Sequence, residues 1–303
     1  MPQLRREFYS TLGQMLRVVN DTLLTDRMPS ADPHNVSARV LRLGLAISAF
    51  ASLEMYLAAR MEAVAQALSA STISPDSLTS ELRAFLSVEA IIGLANRLKF
   101  EDAANKQTYA DNKLAELAKY SAVPPAYVGF GFSPQGSNVG DADIEKALKA
   151  FGIEKVWERL AEIASNIGAG SVSLKNNFKN LAKTRHRSAH NAASNIPSGD
   201  LKEHIQTSIL VAVCFDCITI SILRSMASAL RYNQFKDALD ADVLRYRFLD
   251  REISGDWVER AENSIAIRRR YSDEATALAA ATSRRGSFIL IQRDEQGVPL
   301  AVV

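Results

Sequence analysis

The sequence is poor in several residue types whose abundance would mark a particular class of protein. Its 303 residues include only two cysteines, Cys214 and Cys217, too few for a disulfide framework, so we expect a reducing, cytoplasmic environment. The 14 glycines and 9 prolines are sparse, which argues against a low-complexity chain and favours helices. The net charge is only +2, so any binding of nucleic acid must depend on a local basic patch.

Long hydrophobic runs are also missing. The first ten residues, MPQLRREFYS, lack the apolar core of a secretory signal peptide. The longest apolar stretch, SILVAVCFDCITISIL at residues 208–223, contains an acid and is shorter than the roughly 20 residues that span a bilayer. We therefore expect a buried helix there, and no membrane partner.

The residues that are present predict an all-α protein with a small additional element at its C-terminus. Helical periodicity indicates an N-terminal helical arm at 1–34 and an antiparallel helical bundle at 35–232. The third segment, 233–303, is more charged, and residues 234–282 are expected to be helical. Its last part, 287–303, has two apolar, β-prone runs on either side of RDEQG, which predicts a β-hairpin.

Three charged residues fall at core-facing positions of apolar helical stripes: Glu54, Arg185 and Asp216. A buried charge costs several kcal/mol unless it is paired or hydrogen-bonded. Glu54 is therefore a candidate partner for Arg185. The alternative is that these residues lie at the rim of the core, and that Arg185 interacts with a helix C-terminus.

The stretch KTRHRSAHNAAS, Lys183 to Ser194, ends a helix and is strongly basic. Five cations lie between residues 175 and 187, and the sequence has no acid from Ser171 to Ser198. Such a patch attracts phosphate groups. A solvated basic helix face without a ligand is the alternative.

Within that stretch, Arg185-His186-Arg187-Ser188-Ala189-His190 resembles the R-x4-H signature of the HEPN superfamily, small all-α domains of which many are ribonucleases. The upstream AISAFASLEMYLAARM resembles the family's first core helix, with Glu54 as its embedded acid. From FSPQGSN to the motif, the chain resembles the Ribo/L-PSP-associated HEPN branch. The resemblance covers about residues 35–230. His186 stands where the family more often has Asn or Asp.

The resemblance implies a metal-independent endoribonuclease that needs no cofactor. In such a reaction the 2′-hydroxyl attacks phosphorus, and the products are a 2′,3′-cyclic phosphate and a 5′-hydroxyl. Histidine suits both proton transfers, and a guanidinium suits the phosphate. We therefore expect His190 to be the general acid or base and Arg185 to stabilise the phosphate.

Further residues have supporting roles in this hypothesis. Glu54 would hold Arg185, Asn191 and Ser188 would orient the substrate, and His186 would hydrogen-bond or add charge. The residues expected to bind RNA are Lys179, Lys183 and Arg187. Because residues five apart on a helix point about 140° apart, Arg185 and His190 share a site only if the helix bends or a second copy contributes. We expect the second solution, a homodimer built around residues 171–195.

Two other hypotheses remain open at this point. One is a non-catalytic HEPN-like module that binds RNA, nucleotides or a partner protein, and the other is a helical interaction protein in which R-x4-H is coincidental. If the chain is a ribonuclease of this kind, it is expected to be a toxin or phage-defence effector with an antitoxin or defence partner.

Overall fold

The structure is a computed structural model, which describes residues 2–30, 32–132, 139–170, 173–191 and 193–303. In this part of the chain the helices and strands are α1 (Pro2–Val18), α2 (Pro33–Ala70), α3 (Ser80–Leu86), α4 (Val88–Arg97), α5 (Lys106–Ala118), α6 (Asp141–Ala150), α7 (Val156–Asn166), α8 (Leu174–His190), α9 (Ser198–Met226), α10 (Tyr232–Ala241), β1 (Tyr246–Arg251), β2 (Trp257–Ala261), β3 (Ile267–Tyr271), α11 (Glu274–Arg284), β4 (Ile289–Arg293) and β5 (Pro299–Val302). Residues 133–138, SPQGSN, on which part of the family resemblance depends, lie outside the described residues.

The chain divides into two compact units, each made of several segments. Unit 1 comprises Met1–Leu53, Leu160–Cys217 and Leu244–Val303, and unit 2 comprises Glu54–Arg159 and Ile218–Val243. Three of the boundaries fall inside α2, α7 and α9, and the fourth, between Val243 and Leu244, falls between α10 and β1. The predicted domains at 1–34, 35–232 and 233–303 were continuous segments, and they stay predictions.

Helix α1 is held in unit 1 by the buried carboxylate of Asp216. The Tyr9 hydroxyl donates a hydrogen bond to this carboxylate at 3.0 Å, and Arg5 Nε lies 3.1 Å from it. Asp216 is fully buried, so a hydroxyl and a guanidinium replace the water that it loses. The apolar stripe of α9 is interrupted at this residue because the acid anchors another helix.

Residues 246–302 form a five-stranded mixed sheet in the order β3-β2-β1-β4-β5. Strands β1, β2 and β3 are an antiparallel meander, β4 is parallel to β1, and β5 returns antiparallel to β4. The prediction of an all-α fold is therefore wrong, and the chain is a helix-rich α/β protein. The predicted hairpin at the C-terminus is confirmed as β4 and β5.

The strands β1 to β3 occupy sequence that was predicted to be helical. Their residues are rich in Arg, which is a good helix former, so local propensity is misleading here. The residues in the turns between the strands are more informative than the strands themselves. Gly255 between β1 and β2 has a φ of 91°, and Asn263 between β2 and β3 has a φ of 56°. Both residue types tolerate the left-handed conformation, which marks a change of chain direction.

Helix α11 covers one face of the sheet. Its Ala277 and Ala281 are completely buried against Leu249 of β1, Trp257 of β2 and Leu290 of β4. Two alanines one turn apart give the helix a flat face that packs closely on the strands.

Two helices, α2 and α9, are long and apolar enough to cross a membrane by length and composition alone. The most apolar window of α9 is 78% buried within the protein, as expected for a core helix, whereas that of α2 is 44% buried. Such helices are weak evidence for a membrane span. The cytoplasmic location stays a prediction.

Candidate active site on helix α8

Helix α8 presents one apolar face to the core of unit 1. Its first turns bury Leu174, Phe178 and Leu181, at the spacing that the sequence predicted. The ring of Phe178 packs against Phe50 of α2, with 6.0 Å between the ring centroids. Further along, Thr184 continues this buried face. The face opposite the core is left to solvent.

That outward face carries four basic side chains at its C-terminal end. Lys183, His186, Arg187 and His190 are three or four residues apart, so they lie on one side of the helix, and all four are exposed. The rings of His186 and His190 are 4.6 Å apart between centroids and inclined by 52°. Two imidazoles in contact can take a proton from, or give one to, a ribose oxygen of a bound nucleotide, and the two cations beside them can balance the charge of its phosphate.

The helix stays regular to the end of the motif. The backbone N–H of Asn191 donates to the carbonyl of Arg187 at 2.9 Å, the helical i to i−4 bond. Arg185 and His190 therefore keep the angular separation of about 140° that five helical residues impose. The helix therefore does not bend between Arg185 and His190. A site that is shared between two copies of the chain stays a prediction.

Arg185 lies at the edge of the buried face. Its side chain is half-buried, and its Nε is enclosed without a hydrogen-bond acceptor among the described residues. Glu54, its predicted partner, belongs to unit 2, where Oε1 accepts the backbone N–H of Val139 at 2.6 Å. The pairing of Glu54 with Arg185 stays a prediction.

The other two predicted supporting residues are engaged in local structure. The Ser188 hydroxyl is buried and donates to the Thr184 carbonyl at 2.8 Å. The side-chain oxygen of Asn191 accepts the N–H of Ala193 at 3.0 Å and closes a turn after the helix. In this conformation both groups shape the end of α8, and a substrate would have to compete for them.

The cations of α8 divide into two groups. Lys175 and Lys179, in the first half of the helix, already have interaction partners within the protein. Lys183 and Arg187 form no ion pair with any residue in the described ranges. Lys183 and Arg187 therefore keep an uncompensated positive charge beside the two histidines.

The structure adds His204, a residue that the motif does not include. It is half-buried on α9, and its Nδ1 is enclosed without a partner in the described part of the chain. Burial lowers the pKa of His204; Asp200 and Glu203 oppose that effect, and the positive charge of Arg187 adds to it. His204 is therefore an electrostatic neighbour of the basic face. No sequence signal linked it to the motif, because it lies after the loop on another helix.

No protein-family model, no curated protein and no solved structure matches the chain. The likeness to HEPN proteins consequently depends on the R-x4-H motif and its helical context, and it stays a prediction. Any function proposed for the chain therefore depends on the geometry of α8.

Proposed function

We propose that the chain is a metal-independent endoribonuclease whose active site includes the outward face of the last two turns of α8. The observation that carries this proposal is the contact between His186 and His190, with Lys183 and Arg187 on the same exposed face. Histidine is the side chain that gives and takes protons near neutral pH, and RNA supplies the phosphates that the cations attract.

The reaction needs two proton transfers. A base takes the proton of the 2′-hydroxyl as its oxygen bonds to phosphorus, and an acid protonates the 5′-oxygen as its bond to phosphorus breaks. The products are a 2′,3′-cyclic phosphate and a 5′-hydroxyl. His190 performs one transfer in this proposal, His186 supports it, and Arg187 with Lys183 binds the phosphates.

In-line displacement supports a role for a second copy of the chain. The attacking and leaving oxygens stand on opposite sides of phosphorus, whereas His186 and His190 lie side by side on one helix. One copy of α8 therefore supplies one side of the reaction. In a homodimer, Arg185 of the second copy supplies the other side, where it stabilises the charge that develops on the phosphate, and the cleft between the two copies excludes water.

A second candidate function is RNA binding without cleavage. The specific observation that favours it is the open position of His186 and His190, which are exposed on the outer face of a helix. A binding surface can be open, whereas catalysis usually requires an enclosed site. The homodimer would provide that enclosure, so RNA cleavage depends on the homodimer, whereas RNA binding does not.

The deciding experiment is cleavage of a mixed RNA pool by the purified full-length chain, with and without a chelator. We expect cutting that persists in the chelator, ends in cyclic phosphates, and spares the all-2′-deoxy version of an RNA oligonucleotide that is cut. His190→Ala should lower the rate by at least about 100-fold. The matched control His34→Ala removes a histidine outside α8, whose Nε2 bonds to the Thr25 carbonyl, and should leave the rate unchanged.

Two outcomes contradict the nuclease proposal. If the wild-type chain binds RNA but leaves the pool uncut at every concentration, the second candidate function replaces the first. If the chelator abolishes cutting, the metal-free mechanism is wrong.

A ribonuclease that acts as a toxin or defence effector should also slow the growth of cells that express it, and His190→Ala should relieve this effect. A co-expressed antitoxin or defence partner would act in the same direction.

A further inference from the structure

Unit 2 contains an open cleft of about 540 Å³, and no residue of the proposed ribonuclease site lines it. It lies between α2, α4, α5 and the loop segment 126–130. Its volume falls within the range of small-molecule sites, roughly 300–1,000 Å³. The side chains that decide its chemistry are Glu62, Arg97, Lys113, Glu116, Lys119 and Phe130.

Two glycines hold Phe130 at this cleft. A Cβ atom at Gly129 would lie 2.6 Å from the backbone of Glu62, and one at Gly131 would collide with the carbonyl oxygen of Phe85. Only glycine allows the chain to pass so close to α2 and α3. The two glycines of the GFG sequence therefore fix Phe130 with 6% of its surface exposed.

Phe130 in turn orients two cations. The guanidinium carbon of Arg97 lies 4.7 Å from the centre of the Phe130 ring, and the ammonium of Lys113 lies 5.2 Å from it. Both distances are within the range of cation–π attraction. Arg97 is half-buried and is restrained by this contact before any ligand arrives, which reduces the entropy that binding would cost.

The acids of the cleft are already satisfied. Glu62 accepts the N–H of Gly129 at 2.6 Å and the side-chain amide of Gln66 at 3.1 Å. Both oxygens of Glu116 accept from the Lys113 ammonium, at 3.0 and 2.9 Å. The Lys113 ammonium neutralises Glu116, whereas the two neutral donors occupy the oxygens of Glu62 and leave its negative charge. None of these bonds uses Arg97 or Lys119.

Arg97 and Lys119 consequently keep their positive charges for a ligand. Neither side chain forms an ion pair with any residue in the described ranges. Arg97 is oriented by an aromatic ring, and Lys119 is exposed at the end of α5. A planar guanidinium donates two parallel hydrogen bonds to a phosphate or carboxylate, and a second cation nearby matches a second negative charge.

We infer that this cleft binds a small organic dianion, with Arg97 as its bidentate ligand and Lys119 as the second cation. A phosphate monoester and a dicarboxylate both have this chemistry. The inference does not depend on the ribonuclease proposal, since no residue of α8 lines the cleft.

The test is isothermal titration of the full-length chain with three probes at low salt. AMP carries a phosphate monoester, adenosine lacks it, and succinate carries two carboxylates. We expect AMP or succinate to bind with a Kd below about 1 mM, and adenosine to bind at least about tenfold more weakly than AMP. The tighter of the two anions identifies the source of the negative charge.

Variants assign the binding to this cleft. Arg97→Ala should raise the Kd at least about tenfold, and Lys119→Ala, at an exposed position that contributes no packing, should raise it by about threefold. Arg97→Lys keeps the positive charge but loses the two parallel donors of the planar guanidinium, so this variant should also bind the anion more weakly. The control Arg231→Ala removes an exposed arginine of the same unit that does not line the cleft, and Arg187→Ala removes a cation of α8; both should leave the Kd unchanged.

Three results would overturn the inference. The first is an absence of binding by both AMP and succinate up to about 10 mM. The second is an unchanged Kd in the folded Arg97→Lys and Lys119→Ala variants, with folding judged by circular dichroism. The third is a loss of AMP binding in Arg187→Ala alone, which would place the anion at α8.

Discussion

The imidazole rings of His186 and His190 lie 4.6 Å apart on the exposed face of α8, one helical turn from each other. Their contact predicts that the two residues act as a unit. His186→Ala should lower the rate of RNA cleavage by about tenfold and His190→Ala by at least about 100-fold, because His190 performs the proton transfer. The double variant should be no slower than His190→Ala. Single-turnover rates check this, and multiplicative effects would show that the histidines act independently.

A site shared between two copies predicts complementation. Arg185→Ala and His190→Ala should each be inactive alone, and a refolded mixture should regain up to about a quarter of the wild-type activity. Random pairing makes half of the dimers mixed, and each mixed dimer keeps one of two intact Arg185–His190 pairs. A mixture as inactive as its components would place the whole site within one chain.

Arg187 should contribute to RNA affinity through counterion release. Arg187→Ala removes one unpaired cation, so the slope of log K against log salt should fall by about 0.7 for a single-stranded RNA. Fluorescence anisotropy across a salt series measures this slope. Lys155→Ala is the control, since Lys155 is exposed, lies in unit 2 and is paired with Glu158. An equal change in both variants would mean that only net charge matters.

His204 should make the stability of unit 1 depend on pH. Burial is the main cause that lowers its pKa below the ordinary value of 6.5, so the unfolded chain takes up the proton more readily. The stability that a neutral His204 contributes is fully present above about pH 6.5, and it is lost as the pH falls through 6.5 toward the folded-state pKa. Urea unfolding of wild type and His204→Gln between pH 5 and 8 should show a steeper loss in the wild type at low pH.

The pKa of His204 also reports whether this residue lies close to Arg187. Because the charge of Arg187 lowers the pKa of His204, Arg187→Ala should raise that pKa, as measured by NMR titration of the ring. Lys155→Ala serves as the control and should leave the titration unchanged. An unaltered pKa in Arg187→Ala would separate His204 from the basic face of α8.

Asp216 should be a major contributor to the stability of unit 1. Asp216→Ala leaves Arg5 without its acid and the Tyr9 hydroxyl without its acceptor, so we expect a loss of about 3 kcal/mol. Tyr9→Phe removes one hydrogen bond and should cost about 1 kcal/mol. The control Asp240→Ala removes an exposed pair with Lys236 and should cost less than about 1 kcal/mol. Chemical denaturation compares them, and equal losses for Asp216→Ala and Asp240→Ala would contradict this role.

The stripe pattern predicted some features of the site and not others. It identified Asp216 as an acid at a core-facing position, because a spacing of three or four residues fixes the face of a helix. It assigned Arg185 to a core-facing position as well, whereas this side chain is half-buried at the edge of that face. It did not fix where α8 ends within the stretch from Lys183 to Ser194, whereas in the structure the helix continues to His190. That difference matters because a continuous helix brings His186 and His190 into contact.

By itself, the sequence determined the helical periodicity, the C-terminal hairpin and the basic character of residues 175–187, since each depends on neighbours along the chain. Only the tertiary structure decided that residues 246–271 are strands, because β pairing stabilises a segment through hydrogen bonds to distant residues that local propensity does not register. It also decided which charges are free. Whether Lys179 or Lys183 has a partner, and whether Arg97 lies over Phe130, depends on elements that are far apart in the sequence and meet only in the folded chain.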